Sequence, residues 1–196
     1  MFKNISQRFA EAVISHDICK AEDRDLLIIG CQSAISLILN IIGVIVIAWI
    51  LGVFCEGLIY LISFYLLRIC ASGFHMKDAI SCFWFSFAVE LICILGIRFF
   101  IPNSLQALLG VAVITFLTCL VLCPVPNIKI KREKRAIIQC RKLCVTMCAI
   151  ELAACVIFVV LRWRTIAYSM AYGWLLFIVL VFMGHMQNRF YSYKTT

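Results

Sequence analysis

Apolar residues recur along this chain in two patterns. In the polar first 25 residues, Phe2, Ile5, Phe9 and Val13 fall at spacings of three and four, with Lys3, Arg8 and Glu11 off the stripe. That is one face of an amphipathic helix, suited to lying along a membrane surface. Beyond it the periodicity gives way to unbroken apolar runs. Leu26 to Cys55 is thirty residues without Lys, Arg, Asp or Glu, Phe99 to Ile128 another thirty, and Thr165 to Asn188 twenty-four. Each exceeds the roughly 20 residues a helix needs to cross the hydrocarbon core. Six apolar segments result, near 26–52, 57–70, 79–100, 104–123, 143–161 and 166–184. Five are long enough to span. The second has eleven uncharged residues between Glu56 and Arg68, a length that also suits a re-entrant or interfacial segment. The pattern predicts an all-α polytopic integral membrane protein, with an interfacial N-terminus over 1–25 and a single transmembrane domain over 26–196.

Charge decides how the segments alternate. If all six cross and the N-terminus is cytoplasmic, the pieces 1–25, 68–78, 124–142 and 185–196 carry 4, 2, 7 and 2 Lys or Arg, fifteen of the eighteen. Arg98, Arg162 and Arg164 remain outside. If segment two alone fails to cross, the basic loop KIKREKRAIIQCRK moves outside, against the positive-inside rule. Four spans, losing two segments together, keep the parity. With six or four, both termini, the stretch 68–82 and the basic loop 124–142 are expected on the cytoplasmic side of a cell membrane. The loop opens with CPVPN, whose prolines stop the preceding helix. Its cations set topology and touch anionic lipid, and they can also dock an acidic peptide.

Composition agrees: 64% of residues are hydrophobic, 14% are charged, and the mean hydropathy is +1.04. A soluble core of this length cannot hide that much apolar surface. The first apolar run follows a polar stretch and is too long for a signal-peptide core, so no cleaved leader is expected. The net charge of +8 is accounted for by cytoplasmic-loop Lys and Arg, and no nucleic-acid partner is expected. The twelve Cys lie mostly in apolar runs or on the cytoplasmic side, as small packing hydrophobes. Cys140, Cys144 and Cys148 repeat at helical spacing, but no His or fourth Cys stands beside them at zinc-finger spacing, so no metal or other cofactor is expected.

The chemistry-bearing residues concentrate in RICASGFHMKDAISC, residues 68–82. Gly73 can take backbone angles that break the chain between segments two and three. Asp78 suits the N-cap of the next helix, which puts Cys82 in or just beyond its first turn, where the positive end of the helix favours a thiolate. His75 sits seven residues before Cys82. A continuous helix would hold the two about 10 Å apart along its axis, whereas a bend at Gly73 and Asp78 brings them within hydrogen-bond reach. A thiol beside an imidazole is a route to a nucleophile at neutral pH; an interfacial His with a packed Cys is the plainer alternative. A third reading makes His75 and Cys82 ligands of a metal-dependent hydrolase. Arg68 can bind a carboxylate or an oxyanion, or anchor the span end at the headgroups. Asp78 is as well explained by capping as by catalysis, and Ser81 as a small packing residue. Glu90 and Glu151 are intramembrane acids, functional candidates by default or carboxyls quietly satisfied by an ion pair or hydrogen bond. His16 and His185 read as surface residues.

Arg68, Gly73, His75 and Cys82 together form R-x4-G-x-H-x6-C, which resembles the signature of the accessory gene regulator B family. The likeness covers nearly the whole chain, including its length, the amphipathic start and the CPVPNIKIKREKR loop. One position departs: the family usually has two glycines before the His, and Ser72 stands at the first. The resemblance implies a membrane cysteine endopeptidase of Gram-positive quorum sensing that processes the autoinducing-peptide precursor. In that reading Cys82 attacks the precursor, His75 is base and then acid, and a thioester intermediate is captured as a thiolactone or lactone. The precursor has an amphipathic N-terminus and an acidic tail, and Lys129, Lys131, Arg132, Lys134 and Arg135 suit that tail. A homodimer is also implied. The rival class is a non-enzymatic peptide exporter or interaction protein, with the polar stretch lining a path.

Overall fold

A computed structural model of the protein describes residues 2–15, 24–71, 79–102, 104–125 and 134–194. Every regular element among them is a helix: α1 (Phe2–Ser15), α2 (Arg24–Ile50), α3 (Phe54–Ala71), α4 (Ala79–Phe99), α5 (Leu105–Val121), α6 (Lys134–Val160) and α7 (Arg164–Lys194). The amphipathic start forms α1, which packs against α2 and is joined to it by an ion pair between Arg24 and Glu11 at 3.0 Å. Five helices, α2, α3, α4, α6 and α7, are long and apolar enough to cross a membrane. The second apolar segment therefore makes a full-length helix. Its charges, Glu56 and Arg68, sit in its first and last turns, so counting only the uncharged residues between them underestimates its length. The short member is the fourth segment, α5, with 17 residues, about 25 Å at 1.5 Å per residue.

Cross-helix contacts fix the directions. Gly43 of α2 lies against Phe87 of α4, and Gly57 of α3 against Ala48 of α2 and Ile94 of α4. Tyr65 of α3 reaches Glu90 of α4, Ser63 of α3 and Trp174 of α7 both reach Glu151 of α6, and Val125 after α5 bonds to Ala71 at the end of α3. The six long helices thus alternate up and down. The ends of α3, α5 and α7 and the starts of α2, α4 and α6 share one end of the bundle. Helices α3 and α7 form its centre and are the most buried, while α2, α4 and α6 turn large apolar side chains outward, such as Ile42, Ile92 and Ile157. Lipid is the natural contact for such a surface. At the end away from Cys82, Trp49, Phe99, Phe100 and Trp163 are exposed, an aromatic girdle of the kind found at membrane interfaces.

Two hairpins share one turn chemistry. After α2, Gly52 has φ +71, with Gly52 N–H bonded to Trp49 O (3.1 Å) and Val53 N–H to Ala48 O (2.9 Å). After α6, Arg162 has φ 62, with Arg162 N–H bonded to Val159 O (3.1 Å) and Trp163 N–H to Phe158 O (2.8 Å). Both are Schellman closures, which satisfy helix-end carbonyls through one left-handed residue. Glycine takes that conformation freely, and Arg162 takes it at a cost. At the centre, Gly173 serves close approach instead: a Cβ there would lie 3.0 Å from Tyr60 O and 3.1 Å from Phe64 N, both backbone atoms of α3.

Two substitutions test these backbone constraints. Arg162→Gly is expected to stabilise the detergent-solubilised protein by about 0.5–1 kcal/mol, by relieving a left-handed non-glycine residue. Gly173→Ala is expected to lower the unfolding midpoint, because α7 must move off α3. Thermal unfolding followed by circular dichroism reads both.

Candidate functional site

The site is assembled where α3 ends and α4 begins. Cys82 is the fourth residue of α4, in its first turn as the sequence predicts, and is half-buried. Arg68, in the last turn of α3, is also half-buried. Its guanidinium lies within electrostatic reach of Cys82, Tyr65 and Glu90. One turn deeper, Tyr65 Oη donates to Glu90 Oε1 at 2.8 Å. The second oxygen of Glu90 has no hydrogen-bond partner among the described residues. Arg68 is thus framed by a thiol at the bundle end and by a phenol–carboxyl pair below it. A guanidinium carries a fixed charge and a fork of donors, so one placed beside a cysteine can receive a carbonyl oxygen that turns anionic when the sulfur attacks.

Gly73, His75 and Asp78 lie outside the described residues, as do Lys129, Lys131, Arg132 and His16. Lys134 begins α6, and Arg135 follows it exposed. Arg141, further along α6, donates from Nε to Cys123 O at 3.0 Å. The loop after α5 is held at the end of α3 by Val125 N–H to Ala71 O at 2.9 Å. The basic start of α6 and the Arg68–Cys82 pair therefore stand at the same end of the bundle, as the charge count expects.

A family model described as Accessory gene regulator B matches residues 6–187, nearly the whole chain. The chain belongs to the accessory gene regulator B family. Neither a curated protein nor a solved structure matches it. Membership supports a role in processing quorum-sensing peptide precursors, and the family is associated with peptidase activity. The apolar helices fit a multi-pass membrane protein.

Three features of this accessory gene regulator B chain were hidden by linear spacing. His185 is not a plain surface residue: it is partly buried, with Nε2 2.8 Å from Leu122 O at the end of α5. Glu151 takes the hydrogen-bonded alternative, its Oε2 accepting from Ser63 Oγ and Trp174 Nε1, each at 2.6 Å. Cys144 does meet further cysteines, across helices: the Sγ atoms of Cys119, Cys123 and Cys144 all lie within 4.8 Å of one another, and the Cys148 thiol is within hydrogen-bond reach of Cys119. Two Cys-x3-Cys pairs, one at the end of α5 and one in α6, were the available signal. Their facing required the fold.

The Tyr65–Glu90 bond beneath Arg68 can be tested by coupling. Tyr65→Phe removes the donor from a buried carboxyl oxygen and is expected to cost about 1–3 kcal/mol. In a Glu90→Leu background the same change costs clearly less. Equal costs in both backgrounds, measured by unfolding in detergent, contradict the pairing.

Proposed function

We propose that the protein is a membrane cysteine endopeptidase that cleaves the C-terminal part of a quorum-sensing propeptide and promotes closure of its ring. The observation that carries this reading is the placement of Arg68 in the last turn of α3 and of Cys82 in the first turn of α4, at one end of the bundle, in a chain of the accessory gene regulator B family. Cys82 is the nucleophile, and its sulfur attacks a peptide carbonyl. His75 takes the thiol proton and returns it to the leaving amine as the C–N bond breaks. Arg68 stabilises the oxyanion between these steps. The acidic tail departs, leaving the N-terminal part of the peptide on Cys82 as a thioester.

A Cys or Ser side chain of the peptide then attacks that thioester, forming a thiolactone or lactone and freeing Cys82. Exchange of one thioester for another is nearly isoenergetic, so thiolactone closure needs no ATP. Water competes for the acyl group, and a site set into the bundle end limits that competition. In this reading the Cys82 end faces the cytoplasm with both termini, and α1 lies along the inner surface. The precursor's amphipathic N-terminus shares that surface, and its acidic tail is drawn to Lys129, Lys131, Arg132, Lys134 and Arg135.

Co-expression with a precursor having an amphipathic start, a central Cys or Ser and an acidic tail tests the proposal. Cys82→Ala and His75→Ala are each expected to reduce cleavage by at least about 10³-fold, with expression unchanged. Cleavage that persists in Cys82→Ala sinks the enzyme reading and leaves the exporter. Arg135→Glu with Lys134→Glu is expected to raise KM about tenfold with kcat little changed, an effect that high salt reproduces in the parent protein.

A further inference from the structure

The cysteine cluster lies apart from Cys82 and has no part in the chemistry above. Cys119, Cys123, Cys144 and Cys148 are all fully buried, at 0% exposure. Each helix contributes a pair one turn apart, Cys119 and Cys123 from α5 and the residues just after it, Cys144 and Cys148 from α6. Cys148, one turn after Cys144 on α6, brings a fourth thiol within hydrogen-bond reach of Cys119. Buried single cysteines are ordinary packing residues. Bringing three sulfurs from two neighbouring segments within 4.8 Å of one another is different, because it aims several soft donors at a common centre.

The dimensions suit an ion. With sulfurs no more than 4.8 Å apart, an ion at the centre of three of them is about 2.8 Å or less from each, against about 2.3 Å for a Zn–S bond. Side-chain rotations of about half an ångström close the difference. A disulfide, by contrast, needs two sulfurs at about 2.05 Å, and all four of these cysteines are free thiols. The surroundings also fit an anionic complex. Arg141 donates to Cys123 O, and His185 meets Leu122 O, so two side chains able to carry positive charge brace the segment bearing Cys123.

We propose that Cys119, Cys123 and Cys144, with Cys148 turning in as the fourth ligand, form a closed thiolate site for a thiophilic d10 metal ion, with Zn2+ as its occupant. Each ligating thiol gives its proton to solvent as its sulfur–metal bond forms, and no electrons are exchanged. A closed four-sulfur set leaves no open position for substrate, so the role is structural. The ion joins the end of α5 to α6. The same segment is bonded through Val125 to Ala71, three residues beyond Arg68. Metal would thereby brace the ground on which Arg68 is set. This goes beyond the peptidase reading and does not depend on it.

Metal analysis of the full chain, purified in mild detergent without chelators from zinc-supplied cells, tests the site. About one zinc per chain is expected, falling at least tenfold in Cys119→Ala/Cys144→Ala and unaffected by the control Cys31→Ser. Cobalt loading of chelated protein is expected to give the intense sulfur-to-metal charge-transfer absorption of thiolate ligation, weakened by Cys148→Ser alone. The single variant keeps the test open if the double one does not fold. Parent protein without stoichiometric metal and without that absorption overturns the proposal. Copper in place of zinc, lost in the same variants, overturns the assignment of the ion. Metal content is read independently of peptide cleavage, so either proposal can fail alone.

Discussion

A carboxyl group in hydrocarbon has no water to answer it, and Glu151 is answered by two other helices. Ser63 on α3 and Trp174 on α7 both donate to one of its oxygens at 2.6 Å, deep inside the bundle. Association of apolar helices in a bilayer has little hydrophobic drive, so close packing and polar contacts decide register. Gly173, beside Trp174, supplies the close packing by letting α7 meet the backbone of α3. One carboxyl and one glycine thus set α3, α6 and α7 at a common depth. The positions of Arg68 at the end of α3 and of the cysteines of α6 follow from that register.

Alternation of the helices then gathers chemistry at one end. The last turn of α3 brings Arg68, the first turn of α4 brings Cys82, and the segment after α5 is tied back to Ala71. Tyr65 and Glu90, bonded to each other just below, add a second polar group under the guanidinium. The opposite end carries tight hairpins, aromatic side chains and the ionisable groups Glu56, Arg98, Arg162 and Arg164. Under the proposed function, a substrate held at the surface by its own amphipathic helix would meet the Cys82 end of the bundle and not its wall.

Much of this was legible in the sequence because the bilayer enforces it. The long apolar runs demanded helices, the basic residues marked which helix ends share a side, and R-x4-G-x-H-x6-C pointed to the family. The spacing of charges left α3 ambiguous between a span and a shorter segment, because Glu56 and Arg68 lie inside the helix, in its terminal turns. Partners across helices left no trace along the chain: Ser63 and Glu151 are 88 residues apart, and His185 and Leu122 are 63 apart. The cysteine cluster shows the same limit. Its two pairs each have an evident helical spacing, yet only packing of α5 on α6 turns them toward one another.

The central claim is that the peptide passes through a covalent bond to Cys82. Mass spectrometry of the protein quenched in acid during turnover of a precursor whose ring-closing Cys or Ser is replaced by Ala tests it directly. A hydroxylamine-sensitive adduct is expected on the peptide containing Cys82, with the mass of the precursor lacking its acidic tail. Cleaved precursor without that adduct, or with the acyl group on another residue, would contradict it.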